Sequence, residues 1–158
     1  MCDEQNPYKT PGTSIEDGPA NSFSLVAVLI GAAVGNGILY AVTSTTALIF
    51  LWFLTFHGVS PGNLSAKAYE STGYLIFQHA MTFLCLIPGG YWSARLGPQL
   101  PYRHALASGA VFTLFLVIHF FYPFEIPLPI WSRPLVLVTT IPAFCLGARW
   151  WRNANPVS

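Results

Sequence analysis

Residues 24–56 run without a single Asp, Glu, Lys or Arg. A helix over that stretch would measure about 50 Å, against the roughly 30 Å hydrocarbon core of a bilayer. A soluble fold would interleave polar residues through so long an element, whereas lipid accepts it as it stands. A spanning hairpin would need about 40 residues plus a turn, so the stretch is predicted to be one long, tilted helix. The hydroxyl cluster at residues 43–46 is where a break or a re-entrant bend is foreseen.

The rest of the chain agrees with lipid as the solvent. Only 8% of its 158 residues are charged, where soluble domains carry about 25%, and so few charges could not cover a water-facing surface. A net charge of +1 leaves no electrostatic footprint for nucleic acid. Cys2, Cys85 and Cys145 make no disulfide framework. Cys85 and Cys145 fall in apolar runs, where a free thiol behaves as a small hydrophobe. Cys2 follows Met1 with no apolar segment before it, so no lipoprotein or secretory signal is expected.

These patterns predict an all-α integral membrane four-helix bundle with spans at 24–56, 74–92, 104–122 and 134–150. Residues 1–21, polar and broken by Pro7, Pro11 and Pro19, are predicted to be a disordered tail. The transmembrane domain covers 22–152, and 153–158 form a short polar tail. Gly and Pro at 57–63 end the first span. Residues 65–72, with Lys67 and Glu70, are expected to form an amphipathic turn or short helix at the interface. The proline-rich linker 123–131 cannot be helical throughout. Pro88 and Pro142 are expected to kink the second and fourth spans.

Orientation follows from where the cations fall. Lys9, Arg95, Arg103, Arg149 and Arg152 would share one side, Lys67 and Arg133 the other. The positive-inside tendency then puts both termini in the cytoplasm of a bacterial inner-membrane protein. Tyr91, Trp92, Tyr102, Trp150 and Trp151 would belt the inner interface. Trp52, Tyr74, Tyr122 and Trp131 would belt the outer one.

Small residues mark the expected helix contacts: Gly31 and Gly35 at GxxxG spacing, Gly89 and Gly90, and Ser108 with Gly109. Asn36 is expected to hydrogen-bond across a helix interface, since an unpaired amide in hydrocarbon costs several kcal/mol.

The second half of the chain resembles a set of bacterial four-span membrane proteins. The resemblance rests on residues 88–96 (PGGYWSARL), 101–109 (PYRHALASG), 128–131 (LPIW) and 142–152 (PAFCLGARWWR). In that set the second span ends in a GGYxAAR-like motif, and Ser93 here stands where alanine is usual. Residues 6–11 (NPYKTP) are similar to the NPYxxP tails of assorted bacterial membrane proteins. The set has no assigned activity, so the resemblance implies topology and leaves function open.

Two places could carry chemistry. Arg95, Arg103 and His104, gathered at the turn after the second span, could bind a lipid phosphate or small anion; otherwise they clasp the helix hairpin and anchor it at the headgroups. His57, His79 and His119 would lie at the outer side at similar depth, as a haem-iron or copper site requires. Against this, no His pair has i, i+4 spacing and no acidic residue within a span could orient a ring. Interhelical hydrogen bonding of His79 and His119 with Gln78, Thr82 or backbone is the competing reading.

No GxSxG, HExxH or CxxC motif occurs, and no span holds a carboxylate to serve as a base. The expectation is therefore a non-enzymatic structural, accessory or regulatory membrane subunit without cofactor or resident metal. Its partners would be the lipid bilayer and a membrane protein or second copy, not nucleic acid. A small oligomeric transporter or channel subunit is the alternative, and haem or metal binding the second.

Overall fold

The computed structural model describes residues 23–121 and 129–156, and every regular element among them is helical. The predicted tail 1–21 and most of the linker 123–131 lie outside the described residues. Helix α1 is Leu25–Phe56, α2 Leu64–Glu70, α3 Thr72–Leu96, α4 Pro101–Phe121 and α5 Ser132–Ala154. A single 3-10 turn, Pro61–Asn63, leads into α2.

Local chemistry sets these limits. The Ser24 hydroxyl caps α1 by accepting from the Ala27 amide at 3.2 Å. Gly58, at φ +80°, ends it, donating to Thr55 while Val59 reaches back to Leu54. Between those ends α1 is unbroken. The hydroxyls of Thr43, Thr45 and Thr46 fold back onto carbonyls three or four residues earlier, so the polar cluster is absorbed within the helix.

Three other elements are longer than the sequence suggests. Ser71 caps α3 from before Thr72, accepting from the Tyr74 amide at 3.3 Å. The same helix continues past Trp92 because Ser93 and Ala94 pack with no exposed surface. Pro101 opens α4, where a missing amide costs nothing. Pro134 likewise falls in the first turn of α5. Both Pro88 and Pro142 sit inside helices that run on through them.

The four long helices alternate in direction, and α3 packs against all three others. The start of α1, the end of α3, the start of α4 and the end of α5 meet at one end, which carries Arg95, Arg103, Arg149 and Arg152. We call it the basic end. At the opposite end Lys67 and Glu70 of α2 pair at 3.0 Å.

Helices α1, α5 and α4 over Pro101–Phe120 are long and apolar enough to cross a membrane. Their outward faces carry large apolar side chains, among them Leu48, Trp52, Phe56, Leu114, Ile118 and Val138. By contrast, α3 holds Gln78, His79, Ser93 and three of the chain's glycines, and its buried residues face the other helices.

Phe144 of α5 is fully buried at the centre of the core, beside Leu86, Phe112, Ala94, Ala105, Ala143 and Ala148. Glycines from three helices leave room for it. A Cβ on Gly35 would stand 3.1 Å from its ring, one on Gly89 2.9 Å, and one on Gly109 3.5 Å from its own Cβ. Gly90 lies against the Phe144 backbone and Gly147 against the Ile87 carbonyl, so α3 and α5 touch main chain to main chain. Gly31 similarly meets Ser93 and the Gly89 carbonyl, at 2.5 and 2.9 Å from a Cβ placed there.

Asn36 is the departure. It is exposed and makes no side-chain hydrogen bond to another helix; the packed face of α1 is formed instead by Ala27, Val28, Gly31, Ala32 and Gly35. Asn36 is one position past that face, and the helix rotation carries it out of the contact.

Candidate functional site

At the basic end the three residues expected to converge on an anion do separate things. His104 is wholly buried, its ring stacked on Phe23 with centroids 5.0 Å apart. Its Nε2 lies 2.8 Å from the Ser24 amide, which can only donate, so Nε2 is an acceptor. The proton therefore sits on Nδ1, which donates to the Leu100 carbonyl at 2.9 Å. Gly97 packs directly on this ring and leaves no space for a side chain. With both nitrogens committed, His104 fastens the start of α1 to the α3–α4 turn and is unavailable to a ligand.

A second buried contact reinforces the fastening. The Ser108 hydroxyl lies 2.9 Å from the Val28 and His104 carbonyls and 2.8 Å from the Ser93 hydroxyl. It joins α1, α3 and α4 through one side chain.

Arg95 turns away from that knot, its guanidinium 4.8 Å from the Trp92 ring. Arg103 lies elsewhere, in a cleft of about 320 Å³ whose lining also includes Gln99, Tyr102, Trp151 and Arg152. Arg152 sits 5.7 Å from the Tyr102 ring centroid. Arg103 thus shares a cleft with Arg152, not with Arg95 or His104. The sequence gives Arg152 only as one more cation on that side; its proximity to Arg103 depends on α5 returning beside α4.

The opposite end holds a cavity of about 480 Å³ between α1, α3, α4 and α5, to which Tyr69 of α2 adds one side chain. Tyr40, Thr43 and Ser44 enter from α1, Gln78 and His79 from α3, and Ser132 from α5. Among the described residues the lining carries no carboxylate, lysine or arginine. Burial, together with nearby Tyr74, holds the Tyr69 phenol above its ordinary range, so this side chain is uncharged too.

Within this lining His79 Nδ1 lies 2.6 Å from the Leu75 carbonyl, and Nε2 lies 3.1 Å from both the hydroxyl and the carbonyl of Ser132. Gln78 Nε2 donates to Tyr74 at 2.6 Å and to Thr46 at 3.1 Å, joining α1 to α3. Its Oε1 is buried without a partner. Such an atom costs about 1–3 kcal/mol.

The proposed histidine triad does not assemble. His79 and His119 both line the cavity, but His57 is exposed, bonded through Nδ1 to the Phe53 carbonyl at 2.9 Å. The positive-φ turn at Gly58 leaves it outside, at the tip of α1. Among the described residues no group of three or more His, Cys, Asp or Glu could hold a metal ion.

What remains is a hydrogen-bonding cavity at one end and an arginine-lined cleft at the other. No protein-family model matches the chain, and neither does any curated protein or solved structure.

Proposed function

We propose that the chain is an integral protein of a bacterial inner membrane, a four-helix bundle crossing four times with both termini in the cytoplasm. In this reading it acts by association, as an accessory or regulatory subunit, and not as an enzyme. The composition of α1, α4 and α5 supports the lipid setting. The alternation of helix direction supports α3 as the fourth crossing, and Ile76, Phe77 and Leu84 give it an exposed apolar face of its own.

One observation carries the association. Asn36 stands exposed about a third of the way along α1, about 17 Å from its start, and Gly37 beside it has nothing within 4 Å of a Cβ position. At that depth an unpaired amide costs several kcal/mol, which a hydrogen bond from another transmembrane helix would offset. The open Gly37 lets such a helix come close. Asn36→Leu should abolish co-purification of a partner subunit, or self-association, and leave the monomer's thermal melt intact. Unchanged assembly by crosslinking in native membranes would refute the role.

The hydrogen-bonding cavity favours a second reading, a small transporter or channel subunit with its vestibule between α1, α3 and α5. Liposome flux of small uncharged solutes that falls in Gln78→Ala and Ser132→Ala would support it. Flux equal to that of protein-free vesicles would dispose of it.

A further inference from the structure

We infer that the cleft lined by Arg103 and Arg152 is a binding site for a phosphate group, carried by an anionic lipid or free in solution. The recognition chemistry stands apart from the membrane reading; only the choice of the lipid as source rests on it.

Arg103 and Arg152 both line a cleft large enough for more than a bare phosphate, about 320 Å³. Each presents planar N–H donors matched to phosphate oxygens. Gln99 and Tyr102, whose side chains can donate without carrying charge, belong to the same lining. Arg152, held near the face of Tyr102, has less freedom to lose when it binds.

Nothing described nearby neutralises these cations. Among the described residues Glu70 is the sole carboxylate side chain, and it is paired with Lys67 at the far end. Arg95 and Arg149 add to the potential there without lining the cleft.

Both arginines are exposed, so an isolated monovalent anion in water would be held weakly. A lipid phosphate escapes that limit, because the bilayer surface concentrates it beside the site. Tyr91, Trp92, Trp150 and Trp151 cluster at this same end, and such aromatic groups settle at headgroup level. The cleft would therefore open among the phosphates.

Full-length protein in mild detergent is titrated with phosphatidylglycerol and, separately, with inorganic phosphate, and bound adducts are counted by native mass spectrometry. Arg103→Gln and Arg152→Gln should each weaken binding about fivefold, and the double variant about 25-fold. Arg95→Gln removes the same charge from the same end but lies outside the cleft, and should weaken binding clearly less than either cleft variant. Saturable phosphatidylglycerol binding that inorganic phosphate does not displace identifies the lipid. Saturable inorganic phosphate binding with the same arginine dependence identifies the free anion.

An equal loss in Arg95→Gln, or none in the double variant, overturns the site. Circular dichroism melts of each variant separate lost binding from lost folding. A chain that stays folded and soluble without detergent would end the membrane reading, while leaving the inorganic phosphate titration to judge the cleft.

Discussion

Replacing Gly90 by alanine adds one methyl group where α3 lies against the backbone of α5. The new carbon would overlap the Phe144 carbonyl, and a carbonyl in a helix cannot rotate aside as a side chain can. The two helices must separate, loosening the fit of Phe144 among Gly35, Gly89 and Gly109. Overpacking of this kind costs about 1–3 kcal/mol. Alanine's better helix propensity returns about 0.8–1 kcal/mol. With rigid main chain as the obstacle we expect the upper end, a net loss of about 2 kcal/mol. Gly37→Ala is the matched control, because nothing lies within 4 Å of its Cβ position. Within a single copy only propensity acts there, and the monomer's stability should rise by up to about 1 kcal/mol. The same chemical change on two helices should thus differ in sign. Far-UV circular dichroism across an SDS titration in detergent micelles measures both variants against wild type. Equal midpoints for Gly90→Ala and wild type would refute the main-chain contact, as would a Gly37→Ala variant equally damaged.

Other substitutions test separate parts of the fold. Phe144→Ala empties the centre of the core and should cost about 3–5 kcal/mol by the same titration. His104→Ala leaves the Ser24 amide without its acceptor; a loss of about 1–3 kcal/mol is expected, with faster proteolysis at the start of α1. His104→Phe keeps the stacking on Phe23 but not the acceptor, and should recover only part of that loss. Gly58→Ala must place a side chain at φ +80°, for about 1–2 kcal/mol, read as a lower melting temperature.

The helices could be read from composition because long uncharged stretches admit few alternatives. Gly31, Gly35, Gly89, Gly90 and Gly109 could be picked out for a similar reason, since small residues in apolar helices mark places where backbones meet. Phe144 could not. Nothing in an apolar run distinguishes a phenylalanine held among glycines from one facing outward, such as Phe115. Asn36 was misplaced because a polar residue next to a packing motif invites the inference that it belongs to the contact. One residue of helix rotation decides otherwise. The arginine cleft was half legible: Arg103 was singled out, but sequence proximity favoured Arg95 and His104 as its companions. The actual neighbour, Arg152, comes from the other end of the chain's second half, and only tertiary packing brings it there.

The placement of α3 bears on how such a chain could be made. Helices α1, α4 and α5 are each long and apolar enough to cross a membrane, whereas α3, which carries Gln78 and His79, falls outside that set. During synthesis it would need α1 as a chaperone in cis, or would wait at the insertion machinery for α4 and α5 to emerge. A nascent chain stalled before residue 101 should accordingly be extracted from membranes by carbonate far more readily than the finished protein.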